Sequence, residues 1–217
     1  MSSDDTSALM ALPDPVSAGT AGLRRWMTEL LELVRVHLPD RMVESGPSAQ
    51  EQRNALRRAL GHGGVPDLPG YLPTLPGQFF DALVRAAVYD PDPSFNRQFV
   101  EPLQAAFGSR RMQEAFLEFL TTGTNQERAG AARAWYWAGR ERVDDLQARW
   151  NRAALREFVA NEDIDVRRCV LPQLTLHPSQ YPDELHPLVA EAVHIARTHR
   201  DDYLRHRVEL QVDDPDG

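Results

Sequence analysis

Arg128, Arg167 and Arg205 stand 39 and 38 residues apart, and each follows by four residues a side chain able to cap a helix: Thr124, Asp163 and Asp201. Guanidinium groups repeated at a fixed period suit two kinds of chemistry. They can line one face and bind an acidic partner segment through charge-assisted hydrogen bonds. They can equally form an internal ladder, each arginine meeting the cap of a neighbouring unit, because a charge withdrawn from water without a partner is costly. The ladder is the stronger reading for Thr124–Arg128, Asp163–Arg167 and Asp201–Arg205. The ladder does not need Arg168 and Arg207, which makes them the better binding candidates.

Trp135-Tyr136-Trp137 is the densest aromatic cluster of the chain. Three successive helical residues span about 200° around the axis, so they cannot all enter one core. At least one should reach a surface or groove, where tryptophan and tyrosine favour binding hot spots. The blander reading puts Trp135 in the core, with Tyr136 and Trp137 packed on a neighbouring hairpin. The partner-binding candidates are therefore Arg168, Arg207, Trp135, Tyr136 and Trp137.

Other chemistry is thinner. His177, His186, His194, His199 and His206 crowd the C-terminal quarter. No cysteine or HExxH arrangement accompanies them, so surface histidines rather than a metal site are expected. Cys169 falls at a core position of its helix and reads as an inert buried thiol. As the single cysteine of the chain, it implies no oxidising compartment. All 24 basic residues are arginine, which excludes lysine Schiff bases and the P-loop lysine. Together with abundant alanine, this fits a GC-rich bacterial source. No GxSxG or Rossmann fingerprint appears, and Gly61-His62-Gly63-Gly64 follows a helix rather than a strand. No catalytic residue and no cofactor are expected. A net charge of −8 lacks the footprint for phosphate-backbone binding. There is no apolar run long enough to span a bilayer and no secretory signal. These features predict a soluble, cytoplasmic protein whose partner is neither nucleic acid nor membrane.

Helices must position these side chains. Leu23, Trp26, Met27, Leu30, Leu31, Val34 and Leu38 recur at helical spacing. Ser48 with Glu51 is a capping box that opens a second helix, stopped at Gly61. Residues 61–77 contain five Gly and four Pro, too many breakers for a helix or strand. The interleaved Val65, Leu68, Tyr71, Leu72 and Leu75 predict that part of this loop packs on the body. Helical patterns then follow one another: Phe79 to Val88, a helix opened by Asp92-Pro93, Met112 to Leu120, and one from Thr124 to Ala138. Further helices run through Val143 to Val159, from Asp163 to Leu174, over 182–198, and from Asp201. Pro172 lies inside its helix and should bend or shorten it. No segment alternates in the manner of a strand, so the fold class is all-α. The chain divides into a disordered tail (1–18), a helical hairpin (19–61), a Gly/Pro-rich loop (62–77), a repeat region (78–210) and an acidic tail (211–217).

The segment DIDVRRCVLPQL, opening at Asp163, resembles the second helix of a HEAT-type repeat, which begins with an aspartate, often followed by proline, then x-Val-Arg; here Ile164 replaces the proline. Asp163, Val166 and Arg167 match those positions, as do Asp201, Leu204 and Arg205, while Thr124 and Arg128 give a weaker version. Glu118-Phe119-Leu120 precedes Thr124 by the same distance as Glu157-Phe158-Val159 precedes Asp163. The Asp92 pair departs from the pattern, with Asn96 where arginine is expected. The resemblance to the HEAT/armadillo-like superfamily covers roughly 78–210. It implies a right-handed α-α superhelix of about four helix pairs, with the 19–61 hairpin as an N-terminal cap. It further implies a non-enzymatic scaffold that binds another protein on its concave face. A competing reading is a HEAT-like alkylpurine DNA glycosylase, which pairs aromatics with an acid on a basic face; the negative net charge and missing lysine argue against it. A HEAT-like bilin lyase is a weaker third.

Overall fold

The computed structural model describes residues 18–41, 44–61 and 75–212. Among them are ten α-helices and no strand. These are α1 (Ala18–His37), α2 (Ala49–Leu60), α3 (Phe79–Tyr89), α4 (Arg97–Phe107), α5 (Ser109–Thr122), α6 (Asn125–Ala138), α7 (Asp144–Ala160), α8 (Ile164–Val170), α9 (His186–Thr198) and α10 (Asp202–Val212). The all-α class is as the apolar periodicity predicts. The tail through residue 17, the loop at 62–74 and residues 213–217 lie outside the described residues. So do Val65, Leu68, Tyr71 and Leu72, whereas Leu75 is buried.

The predicted caps start the helices they should. Ser48 and Thr124 each form a complete capping box, with Glu51 and Glu127 respectively. Asp163 accepts from the backbone N–H groups of Asp165 and Val166 at 3.0 and 3.1 Å. Asp201 accepts from Leu204 N–H at 3.1 Å. Satisfying these free first-turn donors is worth about 1 kcal/mol per cap.

Three helix boundaries differ from expectation. The helix expected over 182–198 begins only at His186, with Pro187 in its first turn, after the 3₁₀ turn Asp183–Leu185. Asp92-Pro93 opens a turn rather than a helix: Asp92 accepts from Ser94 N–H at 2.8 Å, and α4 begins only at Arg97. An aspartate in a turn and an aspartate at a helix start present the same local chemistry, which is why the sequence does not separate them. The helix expected to run from Asp163 to Leu174 stops at Val170 and continues as the 3₁₀ turn Leu171–Gln173. Pro172, which has no N–H to continue the α pattern, accounts for the shortening.

Packing joins the helices in two rows. α5, α7 and α9 touch in succession, as do α3, α6, α8 and α10, and the contacts α5–α6, α7–α8 and α9–α10 join one row to the other. α1 lies against α2 and α3, and α4 against α3, α5 and α6. One hydrophobic core runs from Leu23 to Val208. In it the indole rings of Trp135 and Trp150 stack at 3.9 Å with planes 2° apart. α3 and α6 approach so closely that a Cβ on Gly130 would lie 1.9 Å from the Val88 carbonyl oxygen. No described helix is long and apolar enough to cross a membrane.

Candidate functional site

The periodic arginines do not reach the neighbouring caps. Arg128 donates to the Gly123 carbonyl at 2.8 Å and to Glu157 at 2.7 Å. Arg167 donates to the Phe158 carbonyl at 3.3 Å, and Arg205 donates to the His199 carbonyl. Gly123, Phe158 and His199 lie at the C-terminal ends of the helices just before each cap. Side chains lean toward the N-terminus of their own helix, and the carbonyls at a helix end carry partial negative charge. An arginine one turn past a cap therefore ties the two helices of its own pair together. This corrects the expected Asp–Arg ladder between successive pairs.

Arg128 also reaches the next pair through Glu157 on α7, and further links between pairs come from other side chains. Arg53 pairs with Asp90 at 2.8 Å, Tyr89 donates to Glu127 at 2.9 Å, and Asn125 donates to Asp163 at 3.2 Å. Arg168 pairs with Asp201. Arg168 thus carries the link that the sequence pattern gives to its neighbour, so its freedom to bind is smaller than expected. Arg167, its sequence neighbour, is buried.

Two residues of the aromatic cluster reach a shared pocket. Trp135 is 3% exposed and belongs to the core, which removes it from the binding candidates, while Tyr136 is 57% exposed. Trp137 donates its indole N–H to the Pro93 carbonyl at 2.7 Å. The guanidinium groups of Arg97 and Arg140 lie 4.9 and 5.5 Å from the centroid of its ring. Tyr136 and Trp137 meet edge to face, with centroids 4.9 Å apart.

Tyr136, Trp137, Arg168 and Arg207 line a single pocket of about 360 Å³ on the row formed by α6, α8 and α10. Arg133, Cys169, Tyr203, Ser94 and Gln173 add to its charged and polar wall, and no aspartate or glutamate is among the described residues that line it. Four of the five candidates thus converge. A larger groove of about 550 Å³ between α5 and α7 is of mixed sign, with Glu114 and Glu118 among its acids and Arg149, Arg152 and Arg156 among its bases.

The arginines of the α6–α8–α10 pocket are held differently. Arg133 donates to Cys169 Sγ at 3.2 Å and to the Asp90 carbonyl at 3.4 Å. Burial raises the Cys169 thiol pKa above its ordinary value, against the pull of Arg133, so the thiol stays protonated and unreactive. Arg207 makes no hydrogen bond or ion pair with any described residue, and its Nε is shut off from solvent without an acceptor. The Nε of Arg168 is likewise buried and unpartnered. Burial also raises the Tyr203 pKa, so its hydroxyl remains neutral.

Sequence reasoning missed Arg133 and Tyr203. Each stands four residues before another residue of the pocket, Trp137 and Arg207, which is the spacing of one helical face. Arg133, Arg168 and Arg207 are also 35 and 39 residues apart, a repeat lying alongside the more conspicuous cap-to-arginine series. Three of the five clustered histidines enter local contacts: His177 with Ser179 at 2.7 Å, His186 with the Tyr181 carbonyl at 3.1 Å and His199 with Asp201 N–H at 3.0 Å. Among the described residues no group of three or more His, Cys, Asp or Glu is placed to hold a metal.

No protein-family model, curated protein or solved structure matches the chain.

Proposed function

We propose that this chain is a non-enzymatic, HEAT-like scaffold, its helix pairs coiled as a right-handed superhelix, that binds another protein on the row formed by α6, α8 and α10. The observation that carries the reading is the convergence of Arg133, Arg168 and Arg207 with Tyr136 and Trp137 on one pocket free of lining acids among the described residues. Stacked helical repeats commonly use such a continuous inner surface for binding. Arginine and exposed aromatics are the residue types that dominate interface energetics. An acidic segment is the complementary partner, because guanidinium forks pair with carboxylates and other oxyanions. The all-arginine composition and single cysteine fit a bacterial, cytoplasmic setting.

The test is a pull-down with the double variant Arg207→Glu/Tyr136→Ala alongside wild type. Tyr136 is exposed and Arg207 has no partner among the described residues, so a folded variant that loses the wild-type partners supports the reading. Unchanged partners from a folded variant overturn it. Retention of the wild-type protein on heparin at low salt would instead favour a nucleic-acid-acting enzyme.

A further inference from the structure

We infer that the pocket between α6, α8 and α10 receives a phosphorylated side chain of the partner, its phosphate monoester held among Arg133, Arg168 and Arg207. The inference rests on the protein-binding role proposed above and narrows it to one chemistry.

Charge is the first support. Three guanidinium groups face no carboxylate among the described lining residues, in a chain whose net charge is −8. Arg168 is neutralised by Asp201 and lies 3.9 Å from Asp165, and Arg133 feels the charge of the Asp90 carboxylate. Arg133 and Arg207 form no ion pair with any described residue, and Arg207 has no carboxylate partner among them at all, so positive charge remains to be matched. A phosphate monoester carries about −1.5 to −2 at pH 7 on a single compact group with three acceptor oxygens. A single carboxylate offers only one charge and two acceptor oxygens.

Unmet donors are the second support. The Nε atoms of Arg168 and Arg207 are buried without acceptors, although buried polar groups are nearly always hydrogen-bonded. An oxyanion seated here cannot touch those enclosed Nε atoms, but the Nη groups of Arg207, which are not closed off and have no acceptor among the described residues, would gain one. Size and lining are the third. A volume of about 360 Å³ exceeds that of a phosphate alone and falls at the low end of the range of about 300–1,000 Å³ typical of small-ligand sites. The rings of Tyr136, Trp137 and Tyr203 wall the remainder, so the stem that carries the phosphate also has a surface to pack on.

Isothermal titration with phenyl phosphate, phenylacetate and inorganic phosphate at low salt tests the chemistry directly. Phenyl phosphate should bind about tenfold or more tightly than phenylacetate, and Arg207→Ala should weaken it by a similar factor while circular dichroism stays that of wild type. Equal binding of phenyl phosphate and phenylacetate overturns the phosphate preference. Equal binding of phenyl phosphate and inorganic phosphate overturns the claim that a side chain carries the anion. A second arm treats the captured partner with phosphatase, which should release it. A partner that survives phosphatase yet is lost by Arg207→Glu/Tyr136→Ala refutes the phosphate and leaves the docking face standing. A partner insensitive to the double variant refutes the face itself.

Discussion

Arg168 of α8 donates to the carboxylate of Asp201, the residue that caps α10. One carboxylate therefore serves two purposes, starting a helix and fastening it to the helix before. Burial opposes ionisation of Asp201, but the hydrogen bonds from Arg168 and Leu204 and the Arg168 charge outweigh it, so its pKa lies below the ordinary value. The pair is mostly enclosed, with side-chain exposures of 21% and 13%, which lifts it above the small worth of a fully exposed ion pair.

Replacing Asp201 with Asn should therefore lower stability by about 1 kcal/mol in urea denaturation, and replacing it with Ala by about 2 kcal/mol. Because the folded pKa is depressed, the ionic part of this contribution is present above the unfolded pKa and is lost as pH falls through the folded one. The gap between wild type and Asp201→Asn should thus narrow below pH 4. A gap unchanged into acid would show that the charge of Asp201 contributes nothing.

Gly130 should tolerate no side chain. A Cβ there would meet a backbone carbonyl, Val88 O, at 1.9 Å, and backbone yields less readily than a flexible side chain. Gly130→Ala should destabilise the protein by about 3 kcal/mol or more by forcing α6 away from α3, despite the better helix propensity of alanine. A melting temperature equal to that of wild type would contradict the close approach.

Asp90 should give the fold an unusual pH response. It is fully buried, and burial pushes its carboxyl up to about 6, against the opposing pull of Arg53. A carboxyl with a raised folded pKa favours the native state most below its unfolded pKa near 3.8, and that advantage is lost as pH rises through the folded value near 6. Asp90→Asn should gain stability relative to wild type across this window, by about 3 kcal/mol in total. If the difference instead falls with rising pH, the Arg53 ion pair governs the site.

Trp135 and Tyr136 are sequence neighbours with opposite predicted behaviour. Trp135→Ala removes half of the indole stack with Trp150 and should cost about 3–5 kcal/mol. Tyr136→Ala, at a ring 57% exposed, should leave stability within about 0.5 kcal/mol of wild type while weakening partner binding. Thermal melts of the two variants separate these outcomes.

The helix caps were legible because capping is local chemistry. Ser48, Thr124, Asp163 and Asp201 announce themselves within four residues, and all four cap as read. The direction of the arginines was not legible. Arg167 and Arg168 differ by one position, or about 100° around the helix, and only the placement of the next helix decides which one meets Asp201. The pocket was half legible for a similar reason. Tyr136, Trp137, Arg168 and Arg207 stand out by type, but Arg133 sits among alanines on α6 and gains its meaning only when α8 and α10 are set beside it. Asn96 is a further case, since nothing in its neighbourhood signals that it would be buried.

The break at Pro172 reaches beyond α8. The carbonyl oxygens of Leu171 and Leu174, beside that break, accept from Gln211 at 3.0 and 2.8 Å. The last helix is therefore pinned at both ends, at Asp201 by Arg168 and at Gln211 by an interrupted backbone. The pins are ten residues apart, about 15 Å along the axis. Two fixed points on one rigid rod set its sliding position as well as its attachment, and a shift of a single turn would forfeit both. The prematurely ended α8 thus works as a gauge that fixes how far along its axis Arg207 stands, and with it the spacing between the charges a binding partner must match.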